Sequence, residues 1–478
     1  MVLELTGSRI VAPFVGTSLP VWTSLIGVVL AALSFGYWWG GKLADKKKDL
    51  KTLATLIALA GIWMIAIAFA DGLILSSLTS IRNIFVAAVL AALSLFALPS
   101  ILLGMVTPFV TRLEITKIST SGKTMGRFYA LSTLGSILGT FAAGFFLIPS
   151  LGSFKTLLGS GIALLLVSLL TLLSDEGFKL KTNTLKFLIV FIFLASLART
   201  EKPKRDGVVL DTDTPYSRVI VYDSIDLFSQ RPVRYLTNGL GLIQAGVFLD
   251  KDEGFTAPYF KYFALSDHFN PDIKKALALG GASYNHPKEF LRTHPDATID
   301  VVEIDPEMTE IAREHFNLRD NPRMSIHHQD ARVFLNQNEA KYDVIFVDVF
   351  ESDGNLPYQL TTLEAVKKMG NSLTENGLVV TNIIRAIEGG QGEFTRAELK
   401  TYKEVFPHVL LFQVSPKSAN ERQNLVLVGM KNKEKPKFTS TNKEYQALLS
   451  SLWREPVAED VAILTDDRAP IGYFANRN

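Results

Sequence analysis

Long unbroken apolar runs fill the first 200 residues of the chain, and short alternating ones fill the remainder. Val21–Trp39, Leu53–Ala70, Ile84–Met105, Phe128–Ile148 and Leu157–Leu173 each lie within or close to the roughly 17–25 residues that an α-helix needs to cross a bilayer core. Polar or basic residues, Gly or Pro flank every one, so the pattern predicts five membrane-spanning helices. Lys42, Lys46, Lys47, Lys48 and Lys51 follow the first run. Arg112, Lys117, Lys123 and Arg127 separate the third from the fourth, and Lys179, Lys181 and Lys186 follow the fifth. Basic loops stay in the cytoplasm, which sets the orientation. A sixth run, Phe187–Ala198, is too short for a straight span and has basic residues on both sides, among them Arg199, Lys202, Lys204 and Arg205. It is expected to be an interfacial helix, leaving the rest of the chain cytoplasmic. Gly135, Gly139 and Gly144 in the fourth run fit close helix packing, and fit equally the general frequency of glycine in membrane helices. Met1 to Pro20 lacks a basic n-region and a small-residue cleavage site, so it is not read as a signal peptide.

From Asp206 the period shortens to strand-like alternation, as in Ser217–Tyr222 and Arg234–Thr237, punctuated by Asn238-Gly239 and Gly241. Strands then alternate with helices: Lys275–Leu279, Thr298–Ile304, Met324–His327, Tyr342–Val347 and Leu378–Ile383, with Pro287–Thr293, Pro306–Phe316, Ala331–Asn336 and Leu363–Leu373 between them. The expected architecture is a multi-span α-helical membrane domain over 1–200, a small β-subdomain over 206–262, and a doubly wound, Rossmann-like α/β domain of the class I methyltransferase type over 263–478. Such sheets hold ligands at the C-terminal ends of their strands.

Composition changes the picture in three respects. The chain is 48% hydrophobic and 20% charged, too apolar for an ordinary soluble enzyme, and the excess lies in the first half. A net charge of +2 with basic residues gathered beside the apolar runs speaks for orientation, and no nucleic-acid partner is expected. The absence of cysteine excludes disulfides, thiolate nucleophiles and Cys-ligated metals; no metal is expected.

The candidate chemistry lies at the strand ends. The first strand of the alternating region runs into Gly280-Gly281, and the second ends at Glu303, about 20 residues on. Glycines let backbone approach a ligand, and a carboxylate at that place can accept both hydroxyl protons of a ribose. A Gly-Gly turn alone is more often structural; with Glu303 it points to nucleoside binding. The third strand leads to Asp330-Ala331, where the carboxylate can accept from an adenine amino group. The fourth leads to Asp348 and Glu351, an acid pair able to bind and deprotonate an amine, with a helix cap or turn acid as the plainer reading of Asp348.

With these motifs in hand, residues 206 to 430 resemble the spermidine synthase (polyamine aminopropyltransferase) family. The multi-span first half resembles that family's membrane-fused branch, through Glu4, Ser8-Arg9, Ala12-Pro13, Trp22 and Gly40-Gly41-Lys42-Leu43-Ala44-Asp45. Leu356-Pro357, Leu360-Thr361-Thr362 and Leu464-Thr465-Asp466-Asp467-Arg468-Ala469-Pro470 resemble it too. The resemblance implies Gly280 and Gly281 in the glycine loop, Glu303 on the ribose, Asp330 with Ala331 on the adenine side, and Asp348 as the acid that takes the amine's proton. It also implies Gln244 as a nucleoside contact and Tyr216 as lining for the amine channel.

Three departures stand beside it. Ser283 occupies the place of an acid that pairs with the aminopropyl ammonium in the soluble enzymes, and a hydroxyl cannot replace a charge. Glu351 stands where an Asp is usual, and Tyr259 where a His is usual. Asp466 and Asp467 are candidates for supplying missing acids to the amine pocket, or else form a charged surface turn.

The resemblance therefore implies transfer of an aminopropyl group from decarboxylated S-adenosylmethionine to an amine such as putrescine, releasing methylthioadenosine. A second reading is a methyltransferase using S-adenosylmethionine itself, with Ser283 and Tyr284 accommodating its carboxylate. A third is a polyamine transporter or sensor; it is weakened by the absence of an isolated acid or base in the middle of a span. The expected partners are a polyamine, the lipid bilayer of the cell membrane and, by analogy with soluble relatives, a second copy in a homodimer.

Overall fold

The computed structural model describes all residues except 16–18, 79–80, 82, 116–118, 120, 175–206, 228, 239–242, 251–253, 351–355 and 475–478. The chain divides into two compact units, Met1–Asp206 and Gly207–Asn478.

The first unit opens with a helix, Val2–Val15, whose Leu3, Ile10, Val11 and Val15 are buried in the unit's core. It is too short to read as a span, and the apolar-run pattern gave no sign of it. Among the described residues, four helical stretches are long and apolar enough to cross a membrane: Pro20–Lys46, Leu50–Leu78, Phe85–Glu114 and Ser121–Leu173. The last has 53 residues, about 80 Å at 1.5 Å per residue and far more than a bilayer core needs. It is broken at Gly152, whose φ of 76° leaves the helical region. The five apolar runs thus fall on four helical stretches, with the fourth and fifth runs on either side of this break. Leu50–Leu78 continues past the expected end at Ala70 and carries Asp71, which is buried. An acidic residue therefore does lie within one of these apolar helices.

Close helix packing falls on other glycines than those expected. A Cβ on Gly61 would stand 2.8 Å from the Gly161 carbonyl, and one on Gly36 would strike the Ile101 carbonyl. Gly135 and Gly144 face open space, and Gly139 meets only Val2. The run Phe187–Ala198 and the basic residues from Lys179 to Arg205 lie outside the described residues.

The second unit contains two sheets. Strands β1 (Val208–Asp213), β2 (Arg218–Ile225), β3 (Pro232–Thr237) and β4 (Ile243–Phe248) form an antiparallel meander. Alternation gives it one apolar face, on which Val219, Val221, Leu236, Ala245 and Val247 pack against Met308, Ile311 and Phe316. The larger sheet comprises β5 (Lys275–Leu279), β6 (Thr298–Val302), β7 (Met324–His327), β8 (Tyr342–Val347), β9 (Leu373–Arg385), β10 (His408–Gln413) and β11 (Gln423–Met430). Its order is β10-β11-β9-β8-β5-β6-β7, parallel from β5 to β9, with β10 and β11 antiparallel. Both faces are covered: Leu277, Leu279, Ile345 and Val347 enter one core, and Ala276, Ala278, Val344 and Phe346 the other.

Register then builds one edge. Leu279 pairs with both Val302 and Val347, and Val347 pairs with Thr381. The next residue on each strand therefore stands abreast of its neighbours, giving the row Glu303, Gly280, Asp348, Asn382 at the C-terminal ends of the parallel strands.

Candidate functional site

Leaving β5, the chain turns through Gly280 at φ 95°, Ala282 at φ 45° and Tyr284 at φ 58°, a run of left-handed residues of which only glycine is at ease. A Cβ on Gly280 would collide with the Asp348 carbonyl, and one on Gly281 would stand 2.7 Å from the Tyr284 ring. Both glycines are thus required by the protein's own packing, whatever ligand approaches the loop. Tyr284 is fully buried, and its hydroxyl is 2.7 Å from Thr309 Oγ1. It carries the loop from beneath and does not line the cavity beside it, against the expectation that it meets a carboxylate.

Glu303 is tied to the same loop. Its Oε2 accepts from the N–H groups of Gly281 at 2.9 Å and Ala282 at 3.1 Å, and its Oε1 from that of Asp305 at 3.0 Å. Burial pushes its carboxyl up, while these three N–H donors pull the other way.

Asp348 occupies the next place in the row. Tyr259 donates its hydroxyl to Oδ2 at 2.8 Å, and Asn382 donates from Nδ2 to Oδ1 at 3.1 Å. Asn424 in turn donates to Asn382 Oδ1 at 3.1 Å, which fixes the way round of that amide. Burial pushes the Asp348 carboxyl up to about 6, against the lowering effect of both donors. The result is a carboxylate held from two sides that changes charge near neutral pH, the property required of a general base. Burial and the Asp348 charge together hold the Tyr259 hydroxyl well above its ordinary range, so it remains a proton donor.

A cavity lies beside this carboxylate, between β4, the short helix Phe260–Phe263 and the glycine loop. Gln244, Gly280, Gly281, Ser283 and Asp348 line it, together with Asn285, His286, Phe260, Phe263 and Phe346. His286 packs against the rings of Phe263 and Phe346, with centroids at 4.8 and 4.2 Å, and burial pushes its imidazole down to about 3. Asp348 is the one ionised group on this wall among the described residues, and no Lys or Arg stands there.

The remaining candidates lie elsewhere. Asp330 caps the helix Ala331–Gln337 through a 3.0 Å bond from the Val333 N–H, so the capping role weighed for Asp348 belongs to Asp330. Ala331 is a core residue packed with Leu279 and Val347. Neither lines the cavity, because β7 lies three places from β8 in the sheet, with β5 and β6 between them. Tyr216 is 51% exposed in the turn between β1 and β2, which Thr214 Oγ1 closes by accepting from the Tyr216 and Ser217 N–H groups. Asp466 accepts from Arg332 at 2.7 Å and from Thr362 at 2.6 Å, and Asp467 is exposed beside it. The acidic pair therefore forms a charged surface turn. Glu351 lies outside the described residues.

Asn382, Asn285 and His286 were not foreseen. Asn382 had a signal, a polar residue inside the otherwise apolar run Leu378–Ile383. Asn285 and His286 had none, since polar residues opening a helix after a loop are ordinary.

The family profile described as the spermine/spermidine synthase domain matches residues 262–436. A polyamine aminopropyltransferase of Vibrio vulnificus (strain CMCP6) is 23% identical over 277 residues, covering 57% of this chain and 87% of that protein. A polyamine aminopropyltransferase of Leptospira interrogans serogroup Icterohaemorrhagiae serovar copenhageni (strain Fiocruz L1-130) is 25% identical over 366 residues, 73% of this chain and 69% of that protein. Among solved structures, a probable spermidine synthase from Corynebacterium glutamicum ATCC 13032 aligns at 22% identity with a TM-score of 0.42, covering 52% of this chain and 86% of that one.

Proposed function

We infer that this chain, which carries a spermine/spermidine synthase domain over residues 262–436, is an aminopropyltransferase that works on a di- or polyamine with decarboxylated S-adenosylmethionine as donor. The observation that carries the reading is Asp348, held by Tyr259 and Asn382 at the mouth of the strands with its carboxyl raised to about 6. In the reaction an amine nitrogen attacks the sulfur-bound carbon of the aminopropyl group. A C–N bond forms, the C–S bond breaks, and methylthioadenosine leaves with the bonding pair. A sulfonium is already a good leaving group, so the protein's work is to align the amine and to take its proton. Asp348 does the latter.

The lining of the cavity supports the decarboxylated donor over intact S-adenosylmethionine. An ammonium finds hydroxyl, amide and carboxylate oxygens there, whereas an α-carboxylate would be desolvated with no cationic partner among the described lining residues. Glu303 at the loop supports the ribose end, for which its hydrogen bonds to Gly281 and Ala282 provide rigid positioning. Division of the α/β unit into a β-subdomain over 206–262 and a catalytic domain over 263–478 belongs to the same reading. The apolar helices and their basic flanks support a location in the cell membrane with the catalytic unit on the cytoplasmic side.

The test is incubation of the purified full-length chain with putrescine and decarboxylated S-adenosylmethionine. Release of methylthioadenosine, lost in Asp348→Asn while nucleoside binding persists, is the expected result. Release of S-adenosylhomocysteine from intact S-adenosylmethionine would transfer the site to methyl transfer.

A further inference from the structure

Asn285 opens the helix that follows the glycine loop and lines the cavity. Its Nδ2 donates to the Gly246 carbonyl on β4. A carbonyl can only accept, so this bond fixes which end of the amide is which and leaves Oδ1 as the end still able to act. That Oδ1 is buried and has no hydrogen-bond partner among the described residues. A buried acceptor left unmade is costly, and each one calls for an explanation, among them a catalytic role or a water, ion or ligand that completes the bond. Its neighbours narrow the ligand. Ser283 is buried on the same wall, and His286 is packed among Phe260, Phe263 and Phe346. Burial holds that imidazole neutral, and no Lys or Arg lines the cavity among the described residues. An oxygen acceptor in a cavity lined by Phe260, Phe263 and Phe346, with no Lys or Arg among its described lining residues, suits a positive hydrogen-bond donor.

We propose that Asn285 recognises the primary ammonium at the end of the donor's aminopropyl chain, making it a specificity-determining residue of a tail pocket in which an amide oxygen replaces a carboxylate partner. This rests on the donor assignment made above. Ser283 on the same wall supplies a second neutral oxygen, and an ammonium has three protons to distribute.

The experiment compares two ligands by calorimetry on the full-length chain in detergent: decarboxylated S-adenosylmethionine, and methylthioadenosine, which keeps the nucleoside and lacks the ammonium. In Asn285→Ala the affinity for the decarboxylated donor falls about tenfold, the size of a lost hydrogen bond to a charged group, while methylthioadenosine binds within about twofold of the parent. Asn285→Asp, which offers a charged acceptor at the same place, keeps or widens the parent's preference for the donor. Equal losses for both ligands in Asn285→Ala would overturn the proposal and leave Asn285 as a brace for β4. An unchanged ratio in Asn285→Ala would overturn it as well. A parent that binds neither ligand would instead remove the donor assignment, and the inference with it.

Discussion

The Tyr259 hydroxyl donates a 2.8 Å hydrogen bond to Asp348 Oδ2 across 89 residues of sequence. The bond favours the ionised carboxylate and so works against the burial that raises it. Removing it in Tyr259→Phe moves the Asp348 carboxyl further up from about 6. The acidic limb of the kcat/KM profile should therefore shift to higher pH. At pH 6 the rate should fall about five- to tenfold, while above pH 8, where the carboxylate is ionised in both proteins, the loss should be about threefold or less. A uniform loss at all pH values would show that Tyr259 acts by packing alone.

Asp348→Asn separates function from stability. A carboxyl raised from 3.8 to about 6 binds its proton more tightly in the folded state. Its contribution to stability is fully present below pH 3.8 and is lost as pH rises through 6. At pH 8 the parent therefore carries a buried charge that the variant lacks. The variant should be the more stable there, by about 1–3 kcal/mol, with the advantage vanishing near pH 4. Thermal unfolding of both full-length proteins across this range checks the sign, alongside complete loss of methylthioadenosine release.

The order of strands and helices from Lys275 to Leu373 was legible because each element is short, apolar on its buried positions and bounded by turn residues. Gly280, Glu303 and Asp348 could be found as well, since each directly follows an apolar strand and the register sets those ends level. What could not be read were pairings between distant segments. Tyr259 meets Asp348 from the turn that opens a short helix outside the sheet, and Asn382 meets it because β9 lies beside β8. The capping role went to Asp330, whose helix begins at the next residue, while the two residues directly after Asp348 are not helical. The strands β10 and β11 add an antiparallel edge that the strand–helix rhythm does not announce. In the first unit, hydropathy gave the apolar runs but could not distinguish two helices from one broken at Gly152.

Gly280→Ala should fail at the loop. The residue sits at φ 95°, and its added Cβ would meet the Asp348 backbone carbonyl. Both the left-handed strain and the clash must be relieved by moving Asp348 or the loop that Glu303 holds. A cost of about 2–4 kcal/mol is expected, with methylthioadenosine affinity and turnover both falling by at least about a hundredfold. A variant that keeps parental binding would show the loop to be free to readjust.

Asp466→Ala tests the acidic pair near the C-terminal end. Asp466 is 46% exposed in its side chain and spends both oxygens on the protein, one on Arg332 at 2.7 Å and one on Thr362 at 2.6 Å. An exposed carboxylate so engaged can add little to amine binding, and surface ion pairs contribute about 0–1 kcal/mol. The KM for the acceptor amine should stay within about twofold of the parent, and stability should drop by less than about 1 kcal/mol. Arg332→Ala should cost more, because that guanidinium is mostly buried and also donates to the Gln359 carbonyl at 3.0 Å and Thr362 Oγ1 at 3.1 Å. Losing it takes one donor each from the Gln359 carbonyl, Thr362 Oγ1 and Asp466, for about 2–3 kcal/mol. A large rise in KM for the amine in Asp466→Ala, with stability unchanged, would return this carboxylate to the amine pocket.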